Sequence, residues 1–273
     1  MANNNSIKKE KDDDDIALLT SAAVAAGIMA MGFFRREVKT WTKENSSPVT
    51  EADYLVDQFL GQTLLAARPQ YGWLSEESPD NKARLDKKRI FVVDPIDGTR
   101  GFIRGEDSWT ICLGVVENGK AISGVIYAPA RDELYQAALG KGAKLNGAPL
   151  VRHPHSTNLP IIPAAGAVEK ELAAAGLDFV RGPSLPSLAY RLVQVATGAL
   201  DGALARRGAR DWDISAAAII LAECGIALED VCAGVPVFNR KNTRHGALAA
   251  LADPSLKPLV HNALVNVYGC PKP

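Results

Sequence analysis

The stretch Val92-Val93-Asp94-Pro95-Ile96-Asp97-Gly98-Thr99 places two carboxylates, three residues apart, at the end of an apolar run. Residues 89–94 have the pattern of a buried strand. The proline between the carboxylates fixes φ and stiffens the chain, and Gly98 allows the backbone to approach a bound group closely. We therefore predict a buried strand that leads into a rigid acidic turn.

The chemistry of this turn suits a phosphate that is bound together with a metal ion. Two carboxylates attract a cation, and free N–H groups of a helix or turn beginning at Gly98 and Thr99 attract an anion. Oxygen ligands favour Mg²⁺ or Mn²⁺ over zinc. The alternative is a purely structural turn in which an Asp caps a helix, because Asp-Pro and Asp-Gly pairs are common in turns.

Three other acidic positions accompany the turn, and each has a structural alternative. Glu76 and Glu77 are adjacent acids that end a predicted strand, and they also fit a solvated surface pair. Asp213 opens a predicted helix, where an N-cap is the simple explanation. Thr50 and Asp53 have the spacing of a capping box. Together with the turn, these positions predict one acidic functional site.

Composition excludes several classes of protein. The chain has 273 residues, of which 31 are Lys or Arg and 31 are Asp or Glu, so the formal net charge is zero. This balance argues against a membrane-surface protein or one with nucleic acid as its main ligand, because both usually carry a basic excess. An apolar content of 47% excludes disorder throughout. The length suits one large domain or two ordinary ones.

The cysteines and histidines carry no recognisable metal or disulfide pattern. The four histidines have neither HExxH nor zinc-finger spacing, so zinc is not expected. No two cysteines form CxxC, and four in this length are too sparse for a disulfide scaffold. We predict reduced, mostly buried thiols in a cytoplasmic protein at four positions: Cys112, Cys224, Cys232 and Cys270.

An uncharged segment near the N-terminus raises the question of a membrane span. Residues 16–34 form a run of 19 without a charge, which is close to the length of a transmembrane helix. Four aspartates precede it, in place of the basic region of a signal peptide. The acidic start and basic end suit the helix dipole. We predict a buried helix over residues 14–39, and no membrane association.

The rest of the chain divides into two parts. Residues 109–138 have the pattern of a β-meander, with a hairpin at Asn118-Gly119. Helices and strands alternate farther along the chain. We predict a disordered tail (1–14), an α+β metal-binding domain (15–145) and an α/β domain (146–273).

The chain resembles the inositol monophosphatase superfamily over about residues 15–265. This group includes inositol monophosphatases, CysQ-type 3'(2'),5'-bisphosphate nucleotidases and, more distantly, fructose-1,6-bisphosphatase. The resemblance implies an α/β fold of layered α/β/α/β/α type and an Mg²⁺-dependent phosphomonoesterase. The motifs that carry it are Val49-Thr50-Glu51-Ala52-Asp53, Ser75-Glu76-Glu77-Ser78, Asp94-Pro95-Ile96-Asp97-Gly98-Thr99 and Trp212-Asp213.

The resemblance also implies roles for individual residues. Thr99, Asp53 and Glu76 match catalytic positions, with Thr99 and Asp53 orienting the attacking water. Two to three Mg²⁺ ions would be bound, with Mn²⁺ as a substitute. The expected metal ligands are Glu76, Asp94, Asp97, Asp213 and the carbonyl of Ile96. The expected substrate contacts are Asp97, Gly98, Thr99 and Arg206.

Two departures from the inositol monophosphatase pattern bear on the substrate. Arg100 follows the turn, where inositol enzymes have Thr, and Arg206 stands where they place a Glu that binds an inositol hydroxyl. An arginine suits a second phosphate, whereas a glutamate suits a polyol. We therefore favour a bisphosphate nucleotide such as adenosine 3',5'-bisphosphate. The alternative for Arg206 and Arg207 is a solvated surface pair.

Other functions remain open. The alternatives are an inositol-1-phosphate phosphatase, and a regulatory relative that also binds RNA polymerase. The family further implies a small phosphorylated metabolite as partner, a homodimer and inhibition by lithium.

Overall fold

The computed structural model describes residues 2–43, 47–153, 155–164 and 166–270, with side chains of the first helix described from Asp14 onward. Within these residues the chain forms five layers in the order α/β/α/β/α, which confirms the predicted fold class. Each of the two main sheets is covered by helices on both faces. This burial explains why the central strands are apolar almost throughout.

The strands are numbered along the chain. They are β1 (Thr40–Thr42), β2 (Pro48–Thr50), β3 (Gly72–Ser75), β4 (Arg89–Asp97), β5 (Thr110–Glu117), β6 (Lys120–Ala128), β7 (Glu133–Ala138), β8 (Ala143–Leu145), β9 (Ala148–Pro149), β10 (Ile161–Ile162), β11 (Val180–Arg181), β12 (Gly202–Ala205), β13 (Leu228–Asp230) and β14 (Leu248–Leu251).

The helices form the three α layers, of which two are outer and one is inner. They are α1 (Ala2–Met31), α2 (Glu51–Ala67), α3 (Thr99–Ile103), α4 (Gly166–Ala174), α5 (Leu188–Thr197), α6 (Asp211–Glu223) and α7 (Lys257–Tyr268). Short 3₁₀ turns occur at Ala83–Asp86, Pro129–Arg131 and Pro254–Leu256.

The two main sheets differ in size. The first has the order β3-β4-β5-β6-β7-β8-β9, with β3 parallel to β4 and the remaining pairs antiparallel. The predicted hairpin at Asn118-Gly119 joins β5 to β6. The second sheet has the order β12-β14-β13 and is antiparallel. Two small pairs, β1 with β2 and β10 with β11, complete the strands.

Alternate residues of β4 enter two different cores. Phe91 and Val93 pack with the apolar faces of α1 and α2. Ile90 and Val92 lie in the core shared with α5, α6 and one face of the second sheet. A third core joins the other face of the second sheet to α4 and α7. The alternation follows from the two-residue period of a strand.

The strand β4 continues past its predicted end at Asp94 and reaches Asp97. Asp94 pairs with Cys112 and Asp97 with Thr110, so β4 has one residue more than β5 in this interval. This is a β-bulge, and it accommodates Pro95, which cannot donate to the ladder. The bulge keeps both carboxylates on one short, buried piece of strand.

A glycine allows α6 to lie very close to the first sheet. A Cβ at Gly124, on β6, would lie 2.7 Å from the carbonyl oxygen of Ala216 and 2.6 Å from Ile219 Cγ2. Any larger residue would push the helix outward. The close contact brings the first turn of α6, which contains Asp213, toward the end of β4.

The helix α1 packs on the first sheet as a core helix. Its segment Asp14–Met31 is long and apolar enough to cross a bilayer. In the structure, however, Leu19, Ala23 and Ala26 have no exposed surface. Their burial in the core with α2 and the sheet accounts for part of the apolar composition, since 39% of the segment is buried and Ile28 is exposed.

The bounds of α1 differ from our prediction at both ends. The helix begins at Ala2, so it includes residues that we predicted as a disordered tail, and it ends at Met31 rather than near residue 39. The early start is compatible with the good helix formers Lys and Glu before the aspartates. The early end follows from a turn at residues 32–36, where Arg35 has a left-handed φ of 57°.

The prediction that all four cysteines are reduced thiols is wrong for two of them. Cys232 and Cys270 form a disulfide, with 5.6 Å between their Cα atoms. Cys112 and Cys224 are free. The pair is 38 positions apart in sequence, and only the return of α7 toward the end of β13 brings its members together. The cytoplasmic location stays a prediction, and disulfides are rare in that compartment.

Candidate active site

Three of the predicted metal ligands meet at one place. Carboxylate oxygens of Glu76, Asp94 and Asp213 lie within 4.8 Å of one another. Glu76 follows β3, Asp94 lies on β4 and Asp213 lies in the first turn of α6. The parallel pairing of β3 with β4 and the close approach of α6 therefore assemble acids that are far apart in sequence.

Asp213 is not the N-cap that the structural alternative suggested. Arg210 precedes the first residue of α6, and Asp213 is the third residue of the helix. Its Oδ2 accepts a hydrogen bond of 2.6 Å from the backbone N–H of Arg210. The bond helps to orient the carboxylate toward the acidic cluster.

Asp97 lies beside this triad and is tied to another helix. Its Oδ2 accepts hydrogen bonds from Ser187 Oγ at 2.6 Å and from the backbone N–H of Ala189 at 2.7 Å. Ser187 is the N-cap of α5, where it also accepts from Tyr190. Ser187 was not among the residues predicted from the sequence, although a serine before an apolar helix is an N-cap signal.

The chain turns at Gly98, after both carboxylates, and not between them as the sequence predicted. Gly98 has a left-handed φ of 91°, and a Cβ there would lie 3.0 Å from the backbone nitrogen of Ser187. The Gly98 carbonyl accepts hydrogen bonds from the backbone N–H groups of Gly101 and Phe102, and these bonds form the first turn of α3. The structure thus places Gly98 and Thr99 at the start of a short helix, next to Asp97.

Thr99 and Asp53 also meet. Thr99 Oγ1 lies 3.3 Å from Asp53 Oδ1 and 3.0 Å from the carbonyl oxygen of Ile96. Asp53 Oδ2 accepts from the backbone and the hydroxyl of Thr50, so the capping box is present as well. The two interpretations of Asp53 are compatible because each uses a different oxygen.

Burial and mutual repulsion change how these acids titrate. Burial, followed by the charges of Glu76 and Asp97, raises the pKa of Asp94 well above its usual range. Burial and the charge of Asp97 do the same for Asp213. Burial raises the pKa of Asp97 and that of Asp53 to about 6. The cluster is therefore costly to ionise without a cation, and its ligand atoms are all hard oxygens that fit Mg²⁺ or Mn²⁺.

Lys43 enters the site from the end of β1, which the sequence analysis did not anticipate. Its Nζ lies 2.8 Å from Glu76 Oε1 and 2.6 Å from Glu77 Oε1. The side chain of Glu77 is only 3% exposed, so the adjacent acids are not a solvated surface pair. Burial lowers the pKa of Lys43, but the charges of Glu76 and Glu77 outweigh it and raise that pKa above its usual range.

A cavity of about 690 Å³ joins the acids to a basic rim. Glu76, Asp97 and Asp213 line one part of it. The basic rim, as we call it, consists of Arg191, Arg206, Arg207, Arg210 and Arg244. The sequence singled out only Arg206 and Arg207. Arg206 and Arg207 are both exposed, and Arg207 Nη1 donates to the carbonyl of Tyr268 at 3.2 Å.

A second cavity, of about 420 Å³, adjoins the first and shares Glu76 and Asp97 with it. It is lined by Asp94, Ile96, Gly98, Thr99 and Arg100, among other residues. Arg100 therefore lies beside the predicted phosphate position. Ile96, whose carbonyl is a predicted metal ligand, lines the same cavity.

The assembled site agrees with the comparison to known proteins. The sequence profile of the inositol monophosphatase family matches residues 11–267, which is most of the chain. The chain belongs to the inositol monophosphatase family. It is accordingly a phosphoric monoester hydrolase, and members of this family act on small phosphorylated substrates and generally depend on metal ions.

Curated relatives carry different names at similar distance. The chain is 30% identical over 239 residues to the 3'(2'),5'-bisphosphate nucleotidase CysQ of Aggregatibacter actinomycetemcomitans, covering 81% of this chain and 86% of that protein. It is 29% identical over 237 residues to the inositol-1-monophosphatase of Bacillus subtilis, covering 83% and 86%. These values alone do not identify a substrate within the inositol monophosphatase family.

A solved structure gives the same fold. The crystal structure of the extragenic suppressor protein SuhB of Bartonella henselae superposes with a TM-score of 0.78 at 25% identity. The match covers 92% of this chain and 98% of that chain. The layered architecture is therefore shared along nearly the whole length.

Proposed function

We propose that this phosphatase hydrolyses a 3'(2'),5'-bisphosphate nucleotide, in the manner its CysQ relative's name describes, by metal-assisted attack of water. The observation that carries the proposal is the shared cavity, in which Glu76, Asp97 and Asp213 face the basic rim. The acidic part suits metal ions and a reacting phosphate. The arginines suit a second anionic group of the same substrate.

The acidic cluster fits the metal ions that the family implies. Glu76, Asp94 and Asp213 would hold them, together with Asp97 and the carbonyl of Ile96. The expected ions are two to three Mg²⁺, or Mn²⁺ in their place. When bound, they supply an activated water and balance the charge of the phosphate.

Thr99 and Asp53 are proposed to position that water and take up its proton. The Thr99 hydroxyl accepts a hydrogen bond from the water while it donates its own hydrogen toward Asp53 Oδ1, 3.3 Å away. The pKa of Asp53, raised to about 6 by burial, lies closer to neutrality than that of an ordinary Asp and suits a general base. Thr50 holds the carboxylate in place through its other oxygen.

The reacting phosphate is proposed to lie on the backbone amides of Gly98 and Thr99. These amides precede Gly101, whose N–H donates to the Gly98 carbonyl at the start of α3, so they lie where helix N–H groups lack partners within the helix. The left-handed conformation of Gly98 lets the phosphate approach the backbone. Asp97, at the end of the bulge in β4, borders this position, and Arg100 lines the same cavity. Arg206 would contact the rest of the substrate from the basic rim.

One member of the basic rim is a buried donor that lacks a partner. Arg191 Nε makes no hydrogen bond to any described residue. Burial lowers the pKa of Arg191, and the charge of Asp97 partly opposes this. Because an unpaired buried donor costs free energy, an anionic ligand at the rim would stabilise this side chain.

Inositol 1-phosphate is the second candidate substrate, supported by the relative from Bacillus subtilis that is named for it. A regulatory role beside the phosphatase activity stays a prediction, and a pull-down with RNA polymerase tests it. The homodimer, the lithium inhibition and the cytoplasmic location also stay predictions.

A panel of substrates tests the proposed function. Phosphate release with Mg²⁺ is measured for adenosine 3',5'-bisphosphate, inositol 1-phosphate, fructose 1,6-bisphosphate and histidinol phosphate. We expect the highest kcat/KM for the bisphosphate nucleotide. Comparable values for inositol 1-phosphate would contradict the assignment of substrate and leave the reaction class intact.

A further inference from the structure

Arg210 and Arg244 are neighbours at the mouth of the active-site cavity. Their backbones form an isolated antiparallel bridge, and both residues line the cavity of about 690 Å³ that contains Asp213. Two positive charges held close together repel each other. An anion bound between them would relieve that repulsion, so the arrangement favours one.

The two guanidinium groups remain available for a ligand. Arg210 Nη1 donates to Thr243 Oγ1 at 3.1 Å, and the Arg244 guanidinium makes no hydrogen bond or ion pair with any described residue. Asp213 and Glu76 are the site acids whose charges attract Arg210. These acids are proposed to bind metal ions, and that binding would cancel most of their attraction for the arginine.

The backbone around the pair is held rigidly. Asp211 N–H donates to the Thr243 carbonyl at 3.1 Å, and His245 N–H donates to the Ala209 carbonyl at 2.8 Å. The fully buried carboxylate of Asp211 lies 2.7 Å from His245 Nε2 and accepts from the backbone N–H of Asn239 at 2.7 Å. A site that is already ordered loses less entropy when it binds a ligand.

The support of the pair also leaves its charge intact. The carboxylate of Asp211, next to Arg210 in sequence, is engaged by His245 and Asn239 and forms no ion pair with either arginine, although its charge attracts Arg210. The Arg244 carbonyl accepts from Arg240 Nη2 at 3.1 Å, which anchors the backbone and not the guanidinium. The fold therefore holds the backbone of both arginines in place, and neither guanidinium forms an ion pair with a described residue.

We propose that Arg210 and Arg244 together bind a second, non-reacting phosphate of the substrate. This inference rests on the proposed function and names the residues that would select a bisphosphate over a monophosphate. Guanidinium groups present planar pairs of N–H donors that match two phosphate oxygens. The reacting phosphate would lie beyond the acids, at Gly98 and Thr99, so one substrate spans both positions.

The test compares two substrates that share the reacting 3'-phosphate and differ only in the distal phosphate. These are adenosine 3',5'-bisphosphate and adenosine 3'-monophosphate, assayed with the Mg²⁺-loaded enzyme. The selectivity is the ratio of their kcat/KM values. We expect Arg244→Gln to lower this selectivity by about 10- to 100-fold, as for loss of a hydrogen bond to a charged group. Arg244→Lys should lower it less, because it retains the charge but not the fork of donors.

The controls separate this inference from the proposed function. Arg181→Gln removes one positive charge from an exposed strand outside the cavity and should retain the wild-type selectivity. A wild-type enzyme without selectivity for the bisphosphate would overturn the proposed substrate and this inference with it. A selective wild-type enzyme whose Arg244→Gln and Arg210→Gln variants keep that selectivity would overturn the inference alone. So would an equal loss on both substrates, since it indicates that the arginines act only on the acidic cluster.

Discussion

The ammonium group of Lys43 lies 2.8 Å from Oε1 of Glu76, a carboxylate of the proposed metal site. The positive charge of Lys43 partly neutralises Glu76, as a bound metal ion would. Its ammonium group also lies 2.6 Å from Oε1 of Glu77. A metal ion that binds Glu76 must therefore share or displace this interaction. The relationship makes the affinity for metal depend on a residue that is not a metal ligand.

Replacing Lys43 by Gln should tighten the binding of Mg²⁺. Loss of one nearby positive charge favours the ion by on the order of 1 kcal/mol, or about fivefold in the dissociation constant. Calorimetric titration of the metal-free protein measures the change. Lys39→Gln, which removes an exposed charge before β1, is the matched control. Unchanged or weaker Mg²⁺ binding in Lys43→Gln would show that the lysine does not compete with the ion.

Replacing Asp94 by Asn should abolish most of the phosphatase activity without unfolding the protein. We expect kcat to fall by more than about 100-fold, because a charged oxygen of the metal site is lost. The metal-free variant should not have a lower Tm than the wild type, since the buried Asp94 charge is opposed by Glu76, Asp97 and Asp213. Enzyme assays and thermal unfolding measure the two effects. Asp178→Asn, on an exposed loop, should change neither.

The stability of the metal-free protein should decrease as pH rises toward neutrality. The pKa of Asp53 and that of Asp97 are raised to about 6, and that of Glu77 to about 7, with burial as the main cause. The folded state thus retains protons that the unfolded state has released, so this contribution is complete below the ordinary carboxyl pKa and is lost as pH passes through these raised values.

Saturating Mg²⁺ should reverse this trend, because the ion binds the deprotonated carboxylates. The increase in Tm caused by Mg²⁺ is therefore expected to be larger at about pH 8 than at about pH 5. Thermal unfolding with Mg²⁺ and with a chelator, across this range, measures the difference. An increase in Tm that does not vary with pH would argue against metal binding by these acids.

Replacing Arg206 by Ala should raise the KM for a bisphosphate nucleotide. The residue is exposed at the cavity, so the variant should fold normally. Loss of a charge-assisted hydrogen bond corresponds to about a 10-fold effect or more. Steady-state kinetics with adenosine 3',5'-bisphosphate measures it, and adenosine 3'-monophosphate serves as the comparison substrate. A variant with an unchanged KM would return Arg206 to the class of solvated surface residues.

Reduction of the Cys232–Cys270 disulfide should lower the free energy of unfolding by about 2–4 kcal/mol. In denatured protein that has not been reduced, thiol titration should detect only Cys112 and Cys224. Chemical unfolding of Cys232→Ser measures the stability effect, and Cys224→Ser is the control that retains the bond. Detection of all four thiols in protein purified without reductant would contradict the pairing.

Much of the fold was predictable from local patterns. The apolar run of β4, the hairpin at Asn118-Gly119 and the helix that follows Trp212 are all present. Each depends on neighbours in the chain, namely the strand period, the turn residues and the helical period. The ends of α1 and of β4 were predicted less well, because a turn and a bulge decide them.

The acidic ligands were predictable because each lies in a short motif that can be read from neighbouring residues. The family resemblance then assigns these separate motifs to one site. The sequence by itself determined that Glu76, Asp94, Asp97 and Asp213 are candidates for one site. Only the tertiary structure decided that three of them meet within 4.8 Å while Asp97 is bound to the start of α5. It likewise decided that Lys43 faces Glu76, that Cys232 pairs with Cys270 and that Arg210 lies beside Arg244. The physical reason is that the paired residues lie far apart in the chain: 33 positions for Lys43 and Glu76, 38 for the two cysteines and 90 for Asp97 and Ser187. No local period encodes such pairings, and only the packing of strands and helices brings them about.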